Sequence, residues 1–345
     1  MKATYQKYIL QFKQASGTSR GILKTKETYF LKINNDKKIG IGECAVFRGL
    51  SVDDVPNYEQ KLQWLCNNIN KNVNFLLQEL LEYPSIQFGL EQALISLQSD
   101  NPFELFPSKF TQSKDDIAIN GLIWMGDKSF MKQQIKDKLI AGFSVIKMKI
   151  GAIDFETEIE LLKSIRDEYS SEEIELRVDA NGAFLPSNAL EKLKRLSDFQ
   201  IHSIEQPIKQ GQLKEMAELC AKTTIPIALD EELIGVFDVT TKQEILQTIK
   251  PQYIILKPSL VGGFKGSEEW INLAEKHQIG WWITSALESN IGLNAIAQWT
   301  YNLQPKMPQG LGTGSLFTNN IASPLEVKSG CLYYNNNKSW KFNLL

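Results

Sequence analysis

Histidine is scarce in this sequence: two among 345 residues, His202 and His277. A multi-histidine zinc centre is therefore disfavoured, as is a Ser-His-Asp hydrolase; both histidines read as structural. Cysteine is sparse too. Cys44, Cys66, Cys220 and Cys331 form no C-x-x-C pair and read as reduced thiols of a cytoplasmic protein. Neither sign of charge dominates, with 38 Lys and Arg against 40 Asp and Glu and a net charge of -2. Nothing in that balance points to nucleic acid. No apolar run reaches the ~18 residues of a membrane span, and "MKATYQKYILQFKQ" lacks the apolar core of a secretory leader. No membrane association is expected. The Gly-rich phosphate turn of a doubly wound dinucleotide fold is also missing.

What is present is a globular composition, 43% hydrophobic and 23% charged. The first hundred residues look α+β. "TYFLKINNDKKIGIGECAV" (Thr28–Val46) predicts two strands around an Asn-Asp turn. Helical patterns follow near Val55–Leu81 and Ser85–Gln98. "ASGTSRG" (Ala15–Gly21) is Gly/Ser-rich, a plain loop or a lid over a substrate.

From about Ile117 short apolar runs recur. Anchored at Ile119, Lys147, Arg177, Ser203, Ala228, Ile255, Ile283 and Leu311, they stand 25 to 30 residues apart. Helical patterns fill most gaps, such as Phe155–Glu168 and Ser187–Leu196, the latter with Ser187 as expected N-cap. Eight strand–helix units predict an α/β fold, a (β/α)8-type barrel over residues 106–319. An α+β capping domain takes residues 1–105 and is completed by 320–345.

Active sites of such barrels form at the C-terminal strand ends. Here five successive strands end in charge: Lys149, Asp179, Glu205, Asp230 and Lys257. Singly, each acid reads equally well as a cap on the next helix. In register, the three carboxylates crowd together, and a divalent cation with all-oxygen ligands, Mg²⁺ or Mn²⁺, relieves that crowding. In "VIKMKIG" (Val145–Gly151), Lys147 and Lys149 share the face opposite Ile146, Met148 and Ile150. The lysines are expected to point into the barrel. A site lysine with its pKa pushed down can serve as a base. A cation plus a lysine base suits removal of a proton α to a carboxylate.

The motifs K-x-K (Lys147–Lys149), D-x-N (Asp179–Asn181), E-Q-P (Glu205–Pro207), D-E (Asp230–Glu231) and K-P (Lys257–Pro258) together resemble the enolase superfamily, in its muconate-lactonising branch. The resemblance implies a modified, enolase-like barrel, with Lys149 as acid/base and Lys257 as the opposing lysine; strand position alone leaves the deeper Lys147 to tune Lys149 by like charge. Asp179, Glu205 and Asp230 would bind Mg²⁺. Asn181 and Glu231 would support these groups; by strand alternation Arg177 shares the Asp179 face and is expected to point inward beside them. "SALESNIG" (Ser285–Gly292) and "GLGTGSLF" (Gly310–Phe317) are similar to the branch's dehydratase of a succinyl-bearing cyclohexadiene carboxylate, in menaquinone biosynthesis. Ser285, Gly312 and Thr313 would then hold the succinyl tail. An N-acylamino-acid racemase shares nearly the same motifs. A dipeptide epimerase is disfavoured because "GLGTGS" carries no acid pair. A non-catalytic barrel is the distant alternative. The expected partner is a small-molecule carboxylate, and oligomeric state is left open.

Overall fold

The computed structural model describes residues 1–18 and 21–343. Three antiparallel strands open the chain, β1 (Lys2–Thr18), β2 (Gly21–Asn34) and β3 (Ile39–Cys44). Asp36, at φ 68°, makes the expected turn between β2 and β3. The helix Pro84–Gln98 lies directly on β3. Gly42 permits that approach, since a Cβ there would stand 2.0 Å from the Gly89 carbonyl oxygen.

The helical pattern at Val55–Leu81 resolves into two helices, Tyr58–Asn68 and Val73–Glu79. Asn72 breaks it, accepting the Asn74 N–H as an N-cap. The segment Ala15–Gly21 is not a loop up to its tip. Ser16 to Thr18 pair with Leu23 to Gly21 as the end of the β1–β2 hairpin, and Ser19 and Arg20 lie outside the described residues.

The second unit is a parallel sheet. After β4 (Asp116–Ala118) come β5 (Gly121–Ile123), β6 (Val145–Lys149), β7 (Glu175–Asp179), β8 (Ser203–Glu205), β9 (Ile227–Leu229), β10 (Tyr253–Leu256) and β11 (Gly280–Ile283). Strands β5 to β11 are neighbours in chain order, all parallel. The expected eighth repeat shrinks to single parallel bridges, Thr284 with Gly310 and Gln309 with Ile119, which close the sheet into a barrel. Glycine at 310 permits that bridge, since a Cβ there would meet Thr284 Oγ1 at 2.4 Å.

Ile146, Met148 and Ile150 are fully buried in one cluster with Leu161, Leu162 and Ile165 of the helix Phe155–Arg166. Each such side chain contributes about 1.5–3 kcal/mol of burial. Ser187 does not cap its helix. Pro186 occupies the first helical turn and Leu185 the cap, because proline lacks the N–H that a cap would satisfy. The C-terminal tail divides. Strands β12 (Leu325–Lys328) and β13 (Cys331–Tyr334) form a hairpin on β4, whereas Trp340 and Phe342 pack with Phe30 of the antiparallel layer. Among the described residues, no helix is long and apolar enough to cross a membrane.

Candidate active site

Strand register builds the site. β6, β7 and β8 align Lys149 beside Asp179 and Asp179 beside Glu205. One layer lower they align Lys147, Arg177 and Ser203. Asp230 follows β9 and Lys257 follows β10. Asp179, Glu205, Asp230, Lys147 and Lys257 are all buried.

The charges interleave. Lys149 Nζ lies 2.7 Å from Asp179 Oδ2 and donates to Asn181 Oδ1 at 2.7 Å. Lys147 Nζ is 3.0 Å from Asp179 Oδ2 and also pairs with Glu205. Lys257 pairs with Asp230 and stands 3.7 Å from Glu205 Oε1. Asn181 Nδ2 donates to Glu231 Oε1 at 3.0 Å, which ties the β7 turn to the β9 turn. Gln206 braces the same region: its Oε1 accepts the Asp230 N–H at 3.1 Å. Its backbone takes φ 40°, a conformation uncommon for a non-glycine residue and often found at functional turns.

Burial raises the Glu205 carboxyl well above its ordinary range; Asp179 and Asp230 add to this, against the opposing pull of Lys147 and Lys257. Asp179 goes the other way. Burial disfavours its charge, but Lys147, Lys149 and Lys257 outweigh it and hold the carboxyl well below its usual range. Lys147 and Lys257 are also held above the ordinary lysine range. Burial alone would lower them, and the adjoining carboxylates win. The lowering expected of site lysines is thus not found for these two, since each faces more than one carboxylate.

The donor set suits a hard cation. Three oxygen-bearing acids of adjacent strands converge, and Glu205 Oε1 is buried without a hydrogen bond. Among the described residues no three such side chains yet close a metal cage; the ammonium groups stand between the carboxylates.

A cavity opens over Lys147, Lys149 and Lys257. Ser285, Gly312 and Thr313 form one wall; Leu23, Phe47 and Leu50 of the antiparallel unit and Trp124 after β5 roof it. Sequence reasoning missed these apolar residues, which come from distant segments with no shared spacing. It also missed Gln206 and Glu288. Both sit inside motifs it singled out, E-Q-P and "SALES", where the glutamine or acid gives no sign of its partner.

Arg177 does not join the carboxylates. It points inward but toward the barrel floor, where Nε donates to Glu175 Oε1 at 2.7 Å and one terminal nitrogen donates to the Pro308 carbonyl at 3.0 Å. Its guanidinium lies 4.7 Å from the Trp282 ring centre. Alternation along β7 puts Arg177 on the Asp179 face, yet two residues deeper, and the long side chain takes the partners at the floor.

A closed parallel barrel with lysines and acids at its strand ends, roofed by an antiparallel unit, defines an enolase-type enzyme. Residues 131–337 match the family described as "Enolase C-terminal domain-like", and residues 1–97 match "MenC, N-terminal domain". The o-succinylbenzoate synthase of Desulfotalea psychrophila is 46% identical over 96% of this chain and 98% of its own length. The crystal structure of MenC from the same organism superimposes with a TM-score of 0.86 at 43% identity, covering 96% of this chain and 99% of that one. The L-Ala-D/L-Glu epimerase of Bacillus subtilis shares the fold, at a TM-score of 0.84 and 19% identity over 99% of this chain and 97% of that one. The chain belongs to the enolase superfamily, in its o-succinylbenzoate synthase family.

Proposed function

We propose that the protein dehydrates 2-succinyl-6-hydroxy-2,4-cyclohexadiene-1-carboxylate to 2-succinylbenzoate, as an Mg²⁺-dependent o-succinylbenzoate synthase. The observation that carries this reading is the placement of Lys149 and Lys257 around three buried carboxylates, at the floor of a cavity walled by Ser285, Gly312 and Thr313. A relative of that activity, 46% identical over nearly the whole chain, supports it.

In this mechanism Asp179, Glu205 and Asp230 would hold the cation, and Lys147 pairs with Asp179 and Glu205. When bound, the cation offsets the negative charge that develops on the substrate carboxylate as its α-proton leaves. Lys149, oriented by Asp179 and Asn181, takes that proton as the free amine. The resulting ammonium then protonates the departing hydroxyl on the same face. One C–H and one C–O bond break, water leaves, the ring becomes aromatic, and Lys149 ends as it began. Lys257, paired to Asp230, presents positive charge from the other side. The backbone N–H groups of Gly312 and Thr313 find no acceptor among the described residues and suit the tail carboxylate.

Racemisation of N-acylamino acids would need Lys149 and Lys257 to exchange the α-proton from opposite faces. The purified Mg²⁺ enzyme is given the cyclohexadienyl substrate and, separately, N-succinyl amino acids in D₂O. Efficient formation of the aromatic product with slow or no deuterium exchange is expected. Rapid exchange with negligible aromatic product would overturn the dehydratase reading.

A further inference from the structure

Glu288 lies in the turn after β11 and is fully buried. Its Oε2 accepts the Ser285 hydroxyl at 2.6 Å, and its Oε1 accepts the Ser259 hydroxyl. Ser285 Oγ in turn accepts the Leu287 N–H at 3.1 Å and the Thr313 hydroxyl at 2.9 Å. Ser285 is therefore saturated: its one proton is donated and both lone pairs are filled. The protons run from Thr313 to Ser285 to Glu288, away from the cavity that Ser285 and Thr313 line. Toward a ligand, Thr313 shows lone pairs. Besides the Gly312 and Thr313 N–H groups, a ligand carboxylate at that wall meets hydroxyl lone pairs, with an acid behind them.

The chain reverses if Glu288 carries a proton. Both side-chain partners of Glu288 are hydroxyls, which donate or accept equally well. A protonated Glu288 donates to Ser285, Ser285 to Thr313, and the Thr313 proton turns into the cavity.

The neighbouring charges leave this role to Glu288. Lys26 approaches from β2, buried, with the Ala45 carbonyl at 3.5 Å. Glu43 approaches from β3 and accepts from Thr28 Oγ1, Ser289 Oγ and the Ser289 and Gly292 N–H groups. Two of those donors are backbone N–H groups that cannot reverse, so a proton on Glu43 would face donors. Burial lifts Glu288 above the ordinary carboxyl range, with Lys26 and the two hydroxyls opposing and Glu43 adding to the rise.

We propose that Glu288 is a positioning residue that sets the hydrogen-bond polarity of the Ser285–Thr313 wall, so that an anionic ligand tail binds there together with one proton on Glu288. The inference rests on the dehydratase reading for the identity of the tail. It is tested by calorimetry of 2-succinylbenzoate binding to the Mg²⁺-loaded enzyme across a pH series, in two buffers of different ionisation enthalpy. Wild type takes up close to one proton at the alkaline end, where affinity falls about tenfold per pH unit. Glu288→Gln, whose amide donates to Ser285 and accepts from Ser259, loses that uptake and keeps its affinity as pH rises. Thr313→Val weakens binding and removes the same uptake, which keeps the test decisive if Glu288→Gln fails to fold. Binding without proton uptake in wild type, or undiminished uptake in both variants, overturns this inference and leaves the dehydratase standing. Absence of binding overturns the assigned substrate and the inference with it.

Discussion

Lys149 Nζ and Asp179 Oδ2 lie 2.7 Å apart, directly across the β6–β7 register. The contact points the ammonium along the strand ends and toward the cavity, with Asn181 as a second guide. Lys149 stands at the rim of the buried layer, so its removal is expected to spare the fold. Lys149→Ala should lose most turnover, roughly 10²–10⁴-fold, the range for a general acid–base group. Steady-state kinetics and circular dichroism check both halves. Retention of more than about a tenth of kcat, a loss of only ~1.4 kcal/mol, would assign the base elsewhere.

The three carboxylates give the second prediction. Three acids with hard oxygen donors make the proposed reaction depend on a divalent cation. Chelation with EDTA should abolish turnover, and Mg²⁺ or Mn²⁺ should restore it. Asp230→Asn should weaken Mg²⁺ binding in calorimetry, because the carboxylate beside Lys257 is lost. Full activity after exhaustive chelation would remove the cation from the mechanism.

The two units are joined by a buried acid. Glu43 of β3 receives the Ser289 and Gly292 N–H groups at 2.9 and 2.8 Å, at the start of the barrel helix Asn290–Asn302. Glu43→Ala leaves those donors buried and unpaired, at about 1–3 kcal/mol each. Urea unfolding should show a loss of at least ~2 kcal/mol. A loss below ~0.5 kcal/mol, the usual scale of a surface change, would mean that water replaces the acid and the units are held by other contacts.

The strand ends were legible because each charged residue follows a short apolar run, and parallel register turns equal positions into neighbours. Alternation also told that Lys147 and Lys149 share a face. It did not tell depth, which is why Arg177 was grouped with Asp179 although its partners are Glu175 and Pro308. β1 had no clear signature, since most of its side chains are exposed or half-buried and its apolar contrast is weak. Phe47 and Leu50 reach the cavity from the loop after β3, a contact that only the packing of the two units creates. Glu288 lay in a quoted motif together with Ser285, but the Ser259 hydroxyl that completes its pair comes from the separate short helix Pro258–Val261.

That same loop after β3 carries a buried acid with a pH signature. Asp53 Oδ2 accepts the Ser85 N–H at 2.9 Å and the Ser85 hydroxyl at 2.6 Å, while Oδ1 has no hydrogen bond. Burial lifts its pKa from 3.8 to about 6, although the Ser85 bonds pull the other way. Below 3.8 the folded and unfolded chains both hold the proton, and no stability difference arises. Between 3.8 and about 6 the unfolded chain releases its proton while the folded chain retains it, so stability falls as pH rises. Above that window the penalty is constant, at about 3 kcal/mol for this gap. Asp53→Asn keeps an oxygen for Ser85 and cannot ionise, so its stability should lack this fall. Denaturant unfolding of both proteins at several pH values across the window checks it. The variant should gain on wild type by about 3 kcal/mol between the two ends. Parallel curves would place the Asp53 proton loss at its ordinary pH, and the loop that carries Phe47 and Leu50 would then be held without any cost from that acid.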